Sequence, residues 1–139
     1  MIFVDTGAWI ALAFANDENH KSALLLQQQL AKQKSRLVTS DYILDETYTF
    51  ILYKAGYDVA LRFHDGIEIL LAGGILQLIQ VAESVQRSAW TVFERFNVDK
   101  EWSFTDCTSK VIIEQIGLTD VFTFDDHFDQ MGFVRLPRT

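Results

Sequence analysis

Cysteine, proline and long apolar runs are all scarce in this chain of 139 residues. The only cysteine is Cys107 and the only proline is Pro137. One cysteine forms no internal disulfide and is too few for a zinc site, which excludes the disulfide-rich secreted modules. The longest apolar runs, such as residues 69–72, are far too short to cross a bilayer. Residues 1–5 also lack the basic segment and cleavage site of a signal peptide, so we expect a cytoplasmic protein without a membrane-embedded part.

Positive charge is scarce as well. The sequence has 12 Lys and Arg against 19 Asp and Glu, which gives a formal net charge of −7. Tight binding to nucleic acid depends on cations that displace phosphate counterions, so the net charge alone argues against such a ligand. The objection weakens if several acids hold divalent cations, because two such ions would bring −7 to about −3 and would themselves contact phosphate.

Short apolar runs alternate with segments of helical periodicity along the whole chain. The strands are predicted at residues 2–4, 37–39, 75–81, 120–124 and 133–135. The helices are predicted at residues 8–15, 17–34, 41–55, 58–71, 84–96 and 105–117, with a single turn at 126–130 and with Asp17 as the N-cap of the second helix. This alternation predicts an α/β fold with a central, mostly parallel sheet, and the length predicts one domain over residues 1–139.

Two aspartates directly follow predicted strands. Asp5 ends the run at residues 2–4, and Asp125 follows the run at residues 121–124. Open α/β sheets place their sites at the carboxyl ends of strands, so both acids are candidate site residues. The alternative for either one is a loop-facing acid or a cap on the next helix.

Glu46 is an acid in the apolar stripe of a predicted helix. It lies three residues after Ile43 and four residues before Phe50, in the same stripe. A carboxylate that faces an apolar surface is costly unless it is paired or metal-bound. Glu46 is therefore a candidate ligand, and the alternative is a salt bridge to a buried Arg or Lys. Its neighbour Asp45 is expected to be solvated.

Asp106 opens the sixth predicted helix. Ser103 and Asp106 have the spacing of a capping box, and an acid at this position also favours the helix dipole. Asp106 shares a stripe with Ser109, Ile113 and Ile116, which would turn it toward the end of the sheet. A helix cap and a site residue are both compatible with the pattern.

These four acids can converge on one edge of the sheet. Carboxylates about 4–5 Å apart repel one another by about 3–4 kcal/mol per pair at an effective dielectric constant of about 20, so they must share protons or hold cations. All-oxygen ligation selects Mg²⁺ or Mn²⁺, ions that lower the pKa of a water and stabilise a phosphoryl transition state. His127, the only imidazole near these motifs, is interpreted as a solvated turn residue.

Four segments taken together resemble the PIN domain. They are Val4-Asp5-Thr6, Thr39-Ser40-Asp41-x-x-Leu44-Asp45-Glu46, Ser103-Phe104-Thr105-Asp106 and Thr123-Phe124-Asp125-Asp126-His127-Phe128. The set spans nearly the whole chain and is most similar to the small VapC-type toxin ribonucleases of toxin–antitoxin modules. None of the segments is specific alone, but the set is.

The resemblance implies a PIN-like three-layer α/β/α domain that cuts RNA with Mg²⁺ or Mn²⁺. The acids that it assigns to catalysis and metal binding are Asp5, Glu46, Asp106 and Asp125. Asp125 is preferred to Asp126 because it fills the family's Thr-x-Asp-x-x-Phe frame, and Thr6 and Ser103 match hydroxyl positions that flank the site. The resemblance also implies a homodimer and a cognate antitoxin, although PIN domains serve in RNA processing outside toxin modules too.

The third and fourth predicted helices carry more apolar residues than one core can bury. They include Tyr48, Phe50, Ile51, Leu52, Tyr53, Leu61, Phe63, Ile67, Ile69 and Leu70. Such a surplus indicates a subunit interface, which agrees with a homodimer. A groove between the second, third and fourth helices would accept an amphipathic helix of an antitoxin.

Two other functions fit part of the pattern. A haloacid-dehalogenase phosphatase would use Asp5 as a covalent nucleophile, but it requires a second Asp two residues later, where this chain has Gly7. A non-catalytic PIN-like domain that binds RNA or protein is the alternative from another class. The presence of all four acids argues against it, and metal-dependent cleavage of RNA distinguishes the two.

Overall fold

The computed structural model describes residues 1–138. Within that range five strands and seven helices alternate along the chain. The strands are β1 (Ile2–Val4), β2 (Leu37–Ser40), β3 (Leu76–Ile79), β4 (Asp120–Phe122) and β5 (Val134–Leu136). The helices are α1 (Thr6–Ala13), α2 (His20–Lys32), α3 (Asp41–Ala55), α4 (Tyr57–Ala72), α5 (Glu83–Phe96), α6 (Phe104–Ile116) and α7 (His127–Gln130). The predicted α/β class is confirmed.

The sheet is parallel throughout, in the order β3-β2-β1-β4-β5. β1 is its central strand, with Phe3 opposite Val38 of β2 on one side and Val121 of β4 on the other. All three residues of β1 are buried, because helices cover both faces of a parallel sheet, and this explains its continuous apolar run. The strand order reverses at β1, so the crevice of this open sheet lies at the carboxyl ends of β1 and β4.

Helices form a layer on each face of the sheet. α1 contacts α2 and α3, and α3 contacts α4, whereas α5 contacts α6. The chain crosses from β1 to β3 in one direction and returns to β4 through α5 and α6, so right-handed crossovers place the two groups of helices on opposite faces. The structure therefore has the predicted three layers.

Trp9 of α1 links helices α1 and α4 to the sheet. Its ring packs edge-on against Phe63 of α4, with the centroids 5.9 Å apart, a geometry worth about 0.5–1.5 kcal/mol beyond the area that it buries. Its indole N–H donates to Thr39 Oγ1 at 3.2 Å, and Thr39 Oγ1 donates to the Val4 carbonyl at 2.9 Å. These bonds satisfy the buried polar atoms at the point where α1 crosses β1 and β2.

Most predicted boundaries differ from the structure by one to three residues, and two of these differences have a clear local cause or consequence. Asp17 does not cap α2, because its side chain accepts a hydrogen bond from the backbone N–H of Asn19 at 2.8 Å in an Asx turn, and the helix begins at His20. β4 ends at Phe122 instead of residue 124, which leaves Thr123 and the residues after it at the edge of the sheet. Among residues 1–138, no helix is both long and apolar enough to cross a bilayer.

Candidate active site

An open cleft of about 870 Å³ lies at the carboxyl edge of the sheet. Its polar lining consists of Asp5, Thr6, Glu46, Glu101, Ser103, Asp106, Asp125, Asp126, His127 and Arg135. The four acids singled out from the sequence are therefore brought together, although they come from the end of β1, from α3, from α6 and from the turn after β4.

Asp5 occupies the centre of this edge. It precedes α1 as the N-cap residue, but its side chain makes no capping hydrogen bond, so the alternative of a helix cap does not apply. The residue is only 6% exposed, and Thr123 Oγ1 donates a hydrogen bond to its Oδ2 at 2.9 Å. Thr123 belongs to the fourth PIN-like segment, but its hydrogen bond to Asp5 was not predicted from the sequence.

The surroundings of Asp5 disfavour its charged form. Burial, reinforced by the charge of Asp106, raises the pKa of the Asp5 carboxyl from its ordinary 3.8 to about 7, although the Thr123 hydrogen bond opposes the shift. Binding of a cation beside the buried Asp5 carboxylate would therefore stabilise the folded protein.

Asp106 caps α6 and also lines the cleft. Its Oδ2 accepts from the backbone N–H of Ser103 at 3.1 Å, and Ser103 Oγ accepts from the Asp106 N–H at 3.0 Å, so the two residues form a capping box at the start of α6. The same Oδ2 also lies 3.0 Å from Nδ1 of His127. Burial raises the pKa of Asp106, against the opposing effect of the His127 and Ser103 hydrogen bonds.

A tight turn after β4 positions Asp125. Thr123 Oγ1 accepts from the Asp125 backbone N–H at 3.0 Å, and Asp125 Oδ1 accepts from the His127 backbone N–H at 2.9 Å. The Thr123 hydroxyl therefore links this turn to Asp5, because it donates to one aspartate and accepts from the backbone of the other.

The prediction that His127 is a solvated turn residue is wrong. Its Nδ1 lies 3.0 Å from Asp106 Oδ2 and 3.3 Å from Asp125 Oδ2. Burial alone would lower the pKa of His127, but the hydrogen bond to Asp106 and the charges of Asp125, Asp106 and Asp126 raise it. One ligand atom from each of Asp106, Asp125 and His127 lies within 4.8 Å of the others, a spacing that would fit around one cation.

Glu46 lies at the rim of the cleft, and its predicted place in the apolar stripe of α3 is wrong. The buried face of α3 includes Ile43, Thr47 and Ile51, whereas Glu46 and Phe50 are exposed. At 3.6 residues per turn, Glu46 falls just beyond the edge of that face. Nor does the alternative apply, since within residues 1–138 no ion pair joins Glu46 to an Arg or Lys.

A hydroxyl holds the Glu46 carboxylate toward the cleft. Thr6 Oγ1, on the first turn of α1, donates to Glu46 Oε1 at 2.9 Å. Although the residue as a whole is exposed, its carboxyl end is partly enclosed, and this partial burial raises the pKa of Glu46 against the effect of the Thr6 hydrogen bond. Asp45 is exposed, as expected, and it does not line the cleft.

The donor set fits a hard divalent cation. Carboxylate oxygens make up most of it, and these are the ligands of Mg²⁺ and Mn²⁺. A cation would also offset the burial and repulsion that raise the pKa of Asp5 and of Asp106. Asp126 is exposed and also lines the cleft, so both members of the acidic pair are within it.

Two proteins of known activity are similar to nearly the whole chain. The 23S rRNA-specific endonuclease VapC20 of Mycobacterium tuberculosis is 29% identical over 136 residues, which are 98% of this chain and 98% of the relative. A VapC ribonuclease of Archaeoglobus fulgidus is 29% identical over 126 residues, which are 90% of this chain and 77% of the relative.

Solved structures share the fold. The crystal structure of VapC20, described as a Sarcin-Ricin loop cleaving toxin, has a TM-score of 0.82 at 30% identity over 96% of this chain and 97% of that chain. VapBC2 from Rickettsia felis, bound to a DNA fragment from its promoter, has a TM-score of 0.68 at 12% identity over 97% of each chain, which shows the fold alone. The sequence profile of the PIN domain matches residues 2–134. With this match over nearly its whole length, the chain belongs to the PIN domain family.

Proposed function

We propose that this protein is a Mg²⁺- or Mn²⁺-dependent endoribonuclease and the toxin of a type II toxin–antitoxin system. The observation that supports it most is one open cleft that holds four acids at the switch point of the sheet. These acids are Asp5, Glu46, Asp106 and Asp125. The relatives named as VapC ribonucleases act on RNA, and the specificity of VapC20 for 23S rRNA makes a structured rRNA hairpin the first substrate to test.

Each acid has a role that follows from its surroundings. Asp5, the most buried of them, is the main metal ligand, and the hydrogen bond from Thr123 sets the orientation of its carboxylate. Asp106 and Asp125 complete the ion shell, directly or through water, and His127 holds their carboxylates on one side of the cleft. When bound, the divalent cation supplies a water of lowered pKa and offsets charge on the phosphoryl group.

Glu46 differs from the other three because it stands at the exposed rim. Thr6 orients its carboxylate, so Glu46 either holds the cation or orients the attacking water. Flanking hydroxyls thus act by positioning: Thr6 on Glu46, and Ser103 through the cap that it shares with Asp106.

Replacement of Glu46 by Ala tests the proposed function, with replacement of the neighbouring Asp45 as the control. We expect Glu46→Ala to lower the rate of RNA cleavage about a hundredfold, which corresponds to a loss of about 2.7 kcal/mol of transition-state stabilisation. Asp45→Ala is the matched control, since it removes the same charge one residue away and outside the cleft, and it should cleave like the wild type. The measurement is the initial rate on an end-labelled RNA hairpin with Mg²⁺, Mn²⁺ or EDTA.

The same assay distinguishes the alternative. A non-catalytic PIN-like domain would bind the hairpin without cutting it under any of the three conditions. Cleavage that persists in EDTA would contradict metal dependence. Equal losses of cleavage rate in Asp45→Ala and Glu46→Ala would show that the substitutions disturb helix α3 and that the effect is not specific to the Glu46 carboxylate.

Exposed apolar surfaces support two partners. The outer face of α3 and α4 leaves Tyr53 79% exposed and Tyr57 68% exposed, and it suits a two-fold contact with a second copy. A separate apolar groove of about 380 Å³ is lined by α1, α2 and α4, with Trp9, Phe63 and Ile67 among its residues. The predicted groove had α3 in place of α1. We propose that this groove takes an amphipathic helix of the antitoxin.

Sedimentation velocity checks the assembly. The chain alone should sediment at about twice its 15.9 kDa at micromolar concentration. Co-expression with the product of the adjacent gene should give a heavier complex with suppressed cleavage, because the part of the antitoxin that follows its groove-bound helix would cover the cleft and exclude RNA. A monomer throughout the concentration range would refute the dimer, and full activity in a saturated complex would refute the antitoxin.

A further inference from the structure

Arg135 is a cation in a cleft otherwise lined with acids. Among the described residues, the lining has six carboxylates, and Arg135 is its one Lys or Arg. It lies on β5, the edge strand next to β4, and its side chain is 34% exposed. A polyanion that enters the cleft is therefore repelled by the acids and attracted by Arg135 and by any cations that the acids hold.

The guanidinium of Arg135 has a charged partner, Asp129, which orients it. Its Nε lies 3.0 Å from Oδ2 of Asp129 on α7, and both side chains are partly exposed. A guanidinium carries five N–H donors in a planar fork that matches a phosphate in bidentate fashion. Within residues 1–138 no other ion pair uses Arg135, so Asp129 is its one charged partner in the described part of the chain.

A second arginine extends the cationic surface away from the acids. Arg135 and Arg138 line an adjoining pocket of about 340 Å³, together with Phe133 and Pro137. Asp129 lines this pocket too, so the path from the four acids past Arg135 on β5 to Arg138 beyond it changes from six acids to two arginines and one acid. Such a change suits a chain of phosphates in which one phosphate lies at the acids and the following ones lie at the arginines.

We propose that Arg135 binds an RNA phosphate next to the scissile phosphodiester, with Asp129 orienting the guanidinium, and that Arg138 contacts the phosphate beyond. This inference rests on the proposed ribonuclease function and adds the direction in which the RNA leaves the cleft. Arg135 is a substrate-positioning residue, since it acts on a phosphate that does not react.

Kinetics of Arg135→Ala test the inference. We expect KM for the labelled hairpin to rise about tenfold while kcat stays within about twofold, because an interaction with a remote phosphate is the same in the ground and transition states. The slope of the logarithm of affinity against the logarithm of salt concentration should become shallower by about one, the change that corresponds to the loss of one phosphate contact. Arg135→Lys should restore part of the affinity. Arg36→Ala is the matched control, since it removes the same charge before β2, at the opposite edge of the sheet.

Asp129→Asn separates phosphate binding from a structural role. If Arg135 binds RNA, neutralising Asp129 leaves KM unchanged or lowers it, since a competing carboxylate is gone. If the pair only holds α7 against β5, Asp129→Asn and Arg135→Ala raise KM and lower the melting temperature alike, and this result overturns the inference.

Binding of the same hairpin is measured by fluorescence anisotropy with Ca²⁺ in place of Mg²⁺. This measurement distinguishes failure of the ribonuclease proposal from failure of the proposed role of Arg135. Weaker binding by Arg135→Ala than by Arg36→Ala supports the inference even if the wild type cuts nothing, in which case the ribonuclease proposal alone fails. A wild type that cuts RNA, beside an Arg135→Ala variant with unchanged KM and binding, overturns the role of Arg135 alone.

Discussion

Replacement of Asp5 by Asn should abolish RNA cleavage and leave the protein folded. Asn keeps the shape of the side chain and can accept the hydrogen bond that Thr123 donates to Oδ2. It lacks the negative charge of a main metal ligand, so several kcal/mol of transition-state stabilisation are lost and the rate falls by about a thousandfold or more. The measurement is the initial rate on the RNA hairpin with Mg²⁺ or Mn²⁺, beside a thermal melt of the same sample.

Asp45→Asn is the control for this substitution, because it makes the same chemical change at an exposed position outside the cleft. Near-normal cleavage by Asp5→Asn would remove the metal-nuclease proposal. A loss of cleavage that accompanies unfolding would instead make Asp5 a structural residue, and the assignment of catalysis to this edge of the sheet would lose its main support.

Without divalent cations, the wild-type protein should lose stability as the pH rises from about 4 to about 8. The folded state raises the pKa of Asp5 from 3.8 to about 7, so Asp5 has no effect on stability below the unfolded pKa and its full unfavourable effect above the folded pKa. For Asp5 alone this effect is on the order of 4 kcal/mol, or roughly 14 °C in melting temperature.

Other residues of the cleft act in the same direction. The folded state also raises the pKa of Asp106 and of Glu46, mainly through burial, so their charged forms add to the loss at high pH. The raised pKa of His127 means that protonated His127 stabilises the fold at low pH, and this stabilisation is lost as the pH rises through the folded pKa. The acids and the imidazole therefore reinforce one another.

Thermal melts in EDTA over that pH range test the prediction. The melting temperature of Asp5→Asn should depend less on pH and should exceed that of the wild type at pH 8, whereas Asp45→Asn should follow the wild type. Mg²⁺ at a hundredfold excess over its dissociation constant should then stabilise the wild type by about 2.7 kcal/mol and Asp5→Asn by much less. A wild-type melting temperature that rises with pH in EDTA would contradict the expected burial of a charged Asp5.

Much of the fold follows from local sequence signals. The continuous apolar run of β1 is typical of a strand buried on both faces, and its predicted bounds match the structure. Ser40 caps α3 by accepting from the Ile43 backbone N–H, and the predicted helix matches its bounds. The capping box at Ser103 is equally local. Because parallel strands end at one edge, the places of Asp5 and Asp125 follow from the strands that precede them.

Contacts across the fold decided the rest of the site. Thr123 and Asp5 are 118 residues apart, Thr6 and Glu46 are 40 apart, and His127 and Asp106 are 21 apart. No periodicity within a helix or strand reports such pairs, because they form only when β1 and β4 lie side by side and the helices pack over them. Local sequence signals therefore located Asp5, Asp106 and Asp125, whereas the set of PIN-like motifs located Glu46, whose place in the apolar stripe was wrongly predicted. Tertiary packing decided which hydroxyl and imidazole groups hold these acids, how far each is buried, and so which carboxyl groups have a raised pKa.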